Sequence, residues 1–175
     1  INGGQNMSYK VIPVVTKKEF NQFLRLPWKI YRGNKCWVPP LLSEVKDSIS
    51  PDKNPTLKKI EYALFMALDD ENKPVGRIYA GIDKNLNQKK NMNMAFFSMF
   101  ECINDYDAAK LLFDAACDWA RQKGAEFICG PCSVTGTDGD ENKGLLVNCF
   151  DRPPVILNTY NPEYYMELIE KYGFS

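Results

Sequence analysis

The sequence predicts an α+β (mixed α/β) fold in which helices cover both faces of one central mixed sheet. Residues 92–102 and 126–131 are apolar runs of strand length, and residues 108–123 between them have a helical period. Two strands joined by a helix of this length form a right-handed parallel crossover. Upstream, residues 62–68 and Pro74–Asp83 are two further strand-length runs around a polar turn, which predicts a hairpin. The predicted sheet is therefore an antiparallel meander followed by a crossover to a parallel strand.

The helix of the crossover has a consistent beginning, apolar face and end. Asn104, Asp105 and Asp107 offer N-cap side chains, and Gly124 suits the position after the last turn. Apolar residues recur at three- and four-residue spacing along it, and they are Ala108, Leu111, Leu112, Ala115, Ala116 and Trp119. We therefore expect this helix to bury one apolar stripe.

The residues before the hairpin predict a strand and then helices. Residues 10–15 are a short β-branched run, which predicts the first strand. Thr16 and Glu19 have the spacing of a capping box and should open a helix. Pro27 is expected to break that helix and to start a second, short one that Gly33 ends. A short amphipathic helix is expected over residues 41–49.

The remaining connections are predicted from composition. Residues 84–91 are charged and rich in amide side chains, so we expect an exposed loop. Residues 132–143, rich in glycine and aspartate, are also predicted to be a loop. Asn161 is expected to cap a final helix over residues 162–172, which Gly173 ends.

Composition excludes several classes of function. The 175 residues contain 22 basic and 22 acidic side chains without a basic stripe, which argues against a nucleic-acid or membrane partner and leaves a small-molecule ligand. Six scattered cysteines with mostly apolar neighbours indicate reduced core residues and hence a cytoplasmic location. The chain has no histidine, so His-ligated metal sites and Ser–His or Cys–His nucleophile pairs are excluded, and no metal site is expected.

The two ends of the chain suggest its domain organisation. Met7 is followed by a plausible natural start, so residues 1–6 are expected to be leader or added residues. Residues 7–175 are then expected to form one domain. Because the chain stops at Ser175 just after Gly173, we expect its last strands to be missing and its sheet edge to be covered by a homodimer partner or by further C-terminal residues of a longer chain.

The element order and four local runs resemble the GNAT superfamily of acyl-CoA-dependent N-acyltransferases, in particular longer bacterial GNAT-like proteins of unassigned substrate. The runs are Phe97-Ser98-Met99-Phe100-Glu101, Gly144-Leu145-Leu146-Val147, Tyr160-Asn161-Pro162-Glu163-Tyr164-Tyr165 and Glu170-Lys171-Tyr172-Gly173-Phe174. The resemblance implies a GNAT-like fold from residue 11 to residue 174. It also implies transfer of an acetyl group, or another acyl group, from acyl-CoA to a primary amine of an unknown acceptor.

The resemblance also implies where the site residues lie. In the superfamily the acyl-CoA lies between the central strand and the parallel strand, with its diphosphate at the N-terminus of the crossover helix. The residues at those places are implied to bind the cofactor, and they are Met99, Phe100, Asn104, Tyr106 and Asp107. Glu101 lies where some members place a general base. Tyr164 and Tyr165 are the nearby candidates for the acid that reprotonates the thiolate.

Two departures from the superfamily pattern keep a second class of function open. Residues 102–108 contain no glycine and no basic residue, and Asp105 and Asp107 would cap the same amides and repel a diphosphate. Ile169 stands where many members have the acidic tyrosine. A non-catalytic small-molecule-binding or interaction domain that retains the fold is therefore the alternative to an enzyme.

Substrate contacts are expected beside the carboxyl end of the parallel strand, where sites collect in such sheets. Ser133 and Asn142 bound the polar loop at that end. Tyr160 begins a tyrosine cluster that suits the wet edge of a cavity. We therefore expect Ser133, Asn142 and Tyr160 to contact the substrate.

One cysteine motif offers a third class of function. Cys129-Gly130-Pro131-Cys132 matches the redox string of thioredoxins. The residue before it is Ile128 instead of the usual Trp, and residues 133–140 are a poor helix to follow it. No second cysteine pair lies at zinc-ligand spacing. The sequence favours Cys129 as a core residue and Cys132 as the start of a loop, with a thiol redox protein as the distant alternative.

Overall fold

The computed structural model describes residues 7–135, 144–155 and 158–175, which contain one five-stranded mixed sheet. The strand order is β1-β2-β3-β4-β5. Successive strands are antiparallel as far as β4, and β5 runs parallel to β4. The predicted meander and parallel strand are confirmed, and this order is GNAT-like. The strands are β1 Lys10–Pro13, β2 Ile60–Leu68, β3 Pro74–Asp83, β4 Met94–Cys102 and β5 Phe127–Cys129.

Helices lie on both faces of this sheet, as the sequence predicts. The described helices are α1 Lys17–Ile30, α2 Leu42–Ser48, α3 Lys84–Lys90, α4 Tyr106–Gln122 and α5 Tyr164–Tyr172, with a 3-10 turn at Pro55–Lys59. One face of the sheet packs against α1 and α2 through a cluster that includes Phe23, Met66 and Phe96. The other face packs against α4 and α5 through a cluster that includes Phe97 and Phe113.

The expected break at Pro27 is wrong, because α1 continues through it to Ile30. A proline in a helix has no N–H for the carbonyl four residues earlier, which here is that of Phe23. The guanidinium of Arg77 on β3 donates a hydrogen bond to that carbonyl, with Nη1 at 2.9 Å from the Phe23 oxygen. A side chain distant in sequence therefore replaces the missing backbone donor. The capping box of Thr16 and Glu19 is confirmed.

Two further expectations are wrong, one about a loop and one about a helix cap. Residues 84–91 are not a loop but mostly the helix α3, since the Asp83 carboxylate accepts hydrogen bonds from the amides of Asn85 and Leu86. Asn161 does not cap α5, which begins after Glu163. Its amide group instead pairs with the backbone of Leu146, at 2.7 Å for the bond donated by the Leu146 N–H. At both positions, the hydrogen-bond partner of a short polar side chain decides whether that side chain caps a helix.

A β-bulge in β4 arranges the residues next to Glu101. Ser98 pairs with Tyr79 and Glu101 pairs with Arg77, so Met99 and Phe100 lie opposite the single residue between those partners on β3. Met99 has φ +51°, a left-handed conformation that a non-glycine residue adopts only at a cost of about 1–3 kcal/mol. The extra residue shifts the alternation of side chains, so Glu101 stands directly opposite Arg77.

Two expectations fall on residues outside the described ranges. These are the leader at 1–6 and the part of the predicted loop at 136–143 that includes Asn142.

Candidate active site

The ends of β4 and β5 part where the sequence places the candidate site. Within the described residues the two strands pair from Met94 with Phe127 to Phe96 with Cys129. The next contact is a hydrogen bond from the Cys132 N–H to the Phe97 carbonyl, at 2.8 Å. Beyond it, β4 continues to Cys102. The C-terminal half of β4 therefore presents an edge to partners other than a strand.

Two tyrosines of α5 meet this exposed edge of β4. The Cys102 N–H donates a hydrogen bond to the Tyr165 hydroxyl at 2.9 Å, and the Tyr164 hydroxyl donates one to the Cys102 carbonyl at 2.7 Å. The two phenols thereby satisfy backbone groups that a longer β5 would have paired, because an unpaired buried amide is costly. Burial raises the pKa of both hydroxyls above the usual value, so both stay protonated at neutral pH.

Glu101 lies at the centre of a buried polar cluster. Its Oε2 accepts a hydrogen bond from the Tyr165 hydroxyl at 2.7 Å, and its Oε1 lies 3.7 Å from Nη2 of Arg77. Burial raises the pKa of the Glu101 carboxyl, although Arg77, Tyr165 and Tyr31 each act to lower it. Burial also lowers the pKa of Arg77. Glu101 is thus a carboxyl group whose proton affinity is increased by its apolar surroundings, the property required of a general base near neutral pH.

A cavity of about 500 Å³ opens onto Glu101 from the α1–α2 face of the sheet. Arg77, Met99 and Glu101 contribute polar groups and backbone at its inner end, while its walls are mostly aromatic and apolar. Trp28 and Trp37 meet edge to face there, with ring centroids 5.5 Å apart. The other apolar wall residues are Leu24, Pro27, Val38, Pro39, Pro40, Val45, Pro154 and Val155. A cavity with apolar walls and a few buried polar groups is typical of a small-molecule site.

Glu101 also lines a second, smaller cavity of about 50 Å³. Phe100, Pro131 and Tyr165 line it, near the place where β4 and β5 part. Met99, Glu101 and Tyr160 line both cavities. Glu101 is therefore shared by the large apolar cavity and the small one beside the central strand.

The structure brings together only part of the predicted site. Glu101, Tyr165, Met99, Phe100 and Tyr160 all line one or both cavities. The Tyr160 hydroxyl also donates to the Phe150 carbonyl at 3.0 Å, which fixes its ring at the cavity wall. Tyr164 lies beside them at the Cys102 carbonyl. Ser133 is buried, with its hydroxyl 3.1 Å from that of Thr135.

The predicted phosphate-binding residues lie apart from these cavities, at the start of α4. Asp105 caps this helix, and its Oδ1 accepts hydrogen bonds from the amides of Asp107 at 2.9 Å and Ala108 at 3.4 Å. Asn104 and Asp107 are exposed, and the Tyr106 hydroxyl donates to the Lys171 carbonyl. A diphosphate would have to displace a carboxylate from these amides and would meet a second one beside them. The helix start therefore does not fit a diphosphate.

Sequence reasoning missed four residues of the site. Arg77, Tyr31, Trp28 and Trp37 are brought to Glu101 or to its cavity by the tertiary fold. Tyr31 is 3% exposed and its ring stacks on Trp37 at 4.7 Å. Only Arg77 had a signal in the sequence. It is a charged residue inside an apolar strand, and that strand lies between two other strands, so its charge requires a buried partner.

No family model matches the chain. It is 33% identical over 171 residues to the bacterial ceramide synthase of Caulobacter vibrioides, which covers 97% of this chain and 44% of that protein. It is 30% identical over 160 residues to protein YghO of Escherichia coli, which covers 91% of this chain and 40% of that protein. The chain thus spans less than half the length of these two curated relatives.

Solved structures of acetyltransferases resemble the chain in outline. A putative acetyl transferase from Pyrococcus furiosus is 16% identical, with a TM-score of 0.46 over 71% of this chain and 83% of that one. The aminoglycoside 6'-N-acetyltransferase AAC(6')-Ih from Acinetobacter baumannii is also 16% identical, with a TM-score of 0.49 over 71% and 80%. The fold of this chain is GNAT-like by its own strand order, with a meander, a crossover helix and a parallel strand.

Proposed function

We propose that this chain carries the acyl-transfer site of an N-acyltransferase whose acceptor is a primary amine attached to a long apolar chain. The observation that carries the proposal is the buried carboxyl of Glu101 at the inner end of an aromatic-walled cavity. An ammonium group is the natural partner of that carboxylate, and the apolar walls would hold the rest of the acceptor. A small polar amine as acceptor would leave the apolar walls of the cavity without a contact.

The similarity to a protein named a ceramide synthase supports the same acceptor class. A ceramide is an amide between a fatty acid and a long-chain amino alcohol, so the name denotes amide formation on an amine with an apolar chain. The similar segment covers 97% of this chain. We extend the acceptor class, and not the individual substrate, to the chain described here.

The residues of the chain would act on the acceptor as follows. The Glu101 carboxylate takes a proton from the ammonium group, which frees the nitrogen lone pair for attack. The Tyr165 hydroxyl holds one carboxylate oxygen, and Arg77 faces the other at 3.7 Å, so the carboxylate is oriented before the amine arrives. An acyl thioester would supply the activated carbonyl carbon. The nitrogen forms the C–N bond, the C–S bond breaks, and a second proton of the amine goes to the departing thiolate, so the products are an amide and a thiol.

The test compares two acceptors and two variants. The chain is incubated with a palmitoyl thioester, either palmitoyl-CoA or the diphosphate-free N-acetylcysteamine thioester, and with either sphinganine or serinol, which has the same head group without the chain. The amide is measured by mass spectrometry. We expect amide from sphinganine and little from serinol. Glu101→Gln should lower the rate about 10²–10⁴-fold because general base catalysis is lost. Glu167→Gln, which changes an exposed carboxylate on α5 that lines neither cavity, should leave the rate nearly unchanged. Equal acylation of serinol would contradict the apolar acceptor.

A non-catalytic binding domain is the second candidate, because the Asp105 carboxylate already holds the amides where a diphosphate would bind. Ligand binding raises the melting temperature, and a ligand at about 100 times its dissociation constant adds about 2.7 kcal/mol of stability. A binding domain predicts that sphinganine raises the melting temperature while no acyl thioester gives product. Product formation would exclude it.

A further inference from the structure

The sulfur atoms of Cys129 and Cys132 lie next to each other at the carboxyl end of β5. Their Sγ atoms are 3.7 Å apart, and both side chains are half-buried. A disulfide requires its sulfur atoms at about 2.0 Å, so closure takes a movement of under about 2 Å. Rotation of the two side chains can supply most of it, because the residues are separated by only two others.

The backbone, and not chance side-chain placement, brings the two sulfurs together. Cys129 is paired with Phe96 on β4, and the Cys132 N–H donates to the Phe97 carbonyl at 2.8 Å. Gly130 between them lies so close to β4 that a Cβ there would stand 2.6 Å from the ring and the carbonyl oxygen of Phe97. The loop is therefore held against the central strand at both cysteines and between them.

We propose that Cys129 and Cys132 form a reversible disulfide, a covalent modification site at the edge of the candidate active site. The proposal rests on the geometry of this loop and does not depend on the acyl-transfer function. Pro131, inside the loop that the bond would close, lines the small cavity together with Glu101 and Tyr165. Oxidation would thus fix the wall of the gap beside β4.

The chemistry of the two thiols supports a defined order of steps. The hydrogen bond from Cys132 is the main cause that lowers the pKa of Cys129 to about 7, so about half of it is thiolate at neutral pH. That thiolate attacks a peroxide oxygen, forming a sulfenic acid and releasing hydroxide. The Cys132 sulfur then attacks the sulfenic sulfur, and water leaves. In total two thiols and one hydrogen peroxide give one disulfide and two waters, and a dithiol reductant reverses the change.

Two buried cysteines differ from this pair. Burial raises the pKa of Cys102 to about 12, and burial also raises that of Cys117, so neither is a competent thiolate at neutral pH. Cys149 is exposed and provides an internal reference for an accessible thiol of the same chain.

The test uses reduced, desalted protein and a small excess of hydrogen peroxide, followed by alkylation and peptide mass spectrometry. We expect a disulfide between Cys129 and Cys132, restored to two thiols by dithiothreitol, while Cys149 is still alkylated. Recovery of both residues as alkylated thiols after Cys149 has been oxidised would overturn the proposal.

A second variant separates the steps. Cys132→Ala should leave Cys129 as a sulfenic acid that dimedone traps. It should also slow alkylation of Cys129 at pH 7 roughly tenfold, since without the hydrogen bond from residue 132 the thiol returns toward an ordinary pKa of about 8.5. The matched change Cys149→Ala should alter neither result. Disulfide formation by Cys129 with any other cysteine, or an unchanged alkylation rate in Cys132→Ala, would contradict the assigned pair.

Discussion

The two faces of the sheet bury different kinds of side chain, although the same strands supply both. On the α4–α5 face, Phe113 is fully buried and its ring lies 4.6 Å from Phe100 and 5.3 Å from Phe174. On the α1–α2 face, Arg77 is buried and the Glu101 side chain is 14% exposed beside a cavity of about 500 Å³. A closed apolar face gains stability from contact area, whereas a cavity and buried charges reduce it. The comparison indicates that packing closes one face, whereas the other face contains the cavity of the proposed site.

The strongest test of this comparison removes a ring from each face. Phe113→Ala should lower the free energy of unfolding by about 3–5 kcal/mol, because a fully buried phenylalanine leaves a cavity. Trp28→Ala, at the wall of the existing cavity, should cost under about 2 kcal/mol, mainly the lost contact with Trp37. Urea denaturation followed by circular dichroism measures both. Equal losses would show that the two faces contribute alike.

The next test removes one partner of the buried ion pair. Arg77→Met should destabilise the protein by about 3 kcal/mol, because it leaves Glu101 buried without its counter-charge. It should also leave the Phe23 carbonyl in α1 without a hydrogen-bond donor, since Pro27 has no N–H and Arg77 is removed. Urea denaturation at pH 7 gives the loss of stability.

The double variant Arg77→Met with Glu101→Gln separates these two causes. It removes the unpaired charge and should recover part of the loss, while the missing hydrogen bond to Phe23 remains. No recovery would place the whole effect of Arg77 in the helix rather than in the ion pair.

The smallest effect is a dependence of stability on pH. The folded-state pKa of Glu101 is raised above its reference value of 4.5, so the folded chain holds this proton more tightly than the unfolded chain. Its contribution to stability is fully present below about pH 4.5 and is lost as pH rises through the raised pKa. Unfolding curves should therefore show wild type losing stability relative to Glu101→Gln above pH 4.5, by at most about 1.4 kcal/mol per pH unit. A constant difference between wild type and Glu101→Gln at every pH would mean that Glu101 titrates alike in the folded and unfolded states.

Local patterns in the sequence predicted most of the fold and some of the site. Strands β2 to β5, helix α4 and the capping box of α1 follow from periodicity and cap residues, which act between neighbours in the chain. Glu101, Met99 and Tyr165 were expected near one another from the resemblance of their runs to a known superfamily. The walls of the cavity were not predicted. Trp28 and Trp37 come to line the same cavity as Glu101 only when α1 and the extended segment after it fold over β4.

The wrong predictions share a cause with the missed residues. A proline such as Pro27 usually ends a helix because it lacks an N–H donor. Here Arg77 supplies the absent hydrogen bond from a strand about 50 residues later. Asn161 is a favourable cap residue, yet its amide is taken by Leu146. Each outcome depends on a partner that is distant in sequence.

The succession of strands and helices along the chain follows from local patterns, because alternation, helical period and capping depend on residues within a few positions of one another. That Arg77 faces Glu101 follows only from the folded sheet, since a bulge at Met99 sets which residues of β3 and β4 stand opposite. The tertiary structure also decided that Tyr165 meets the edge left by the short strand β5. Buried polar groups require partners wherever the chain brings them, and those partners are fixed only when the faces of the sheet are packed.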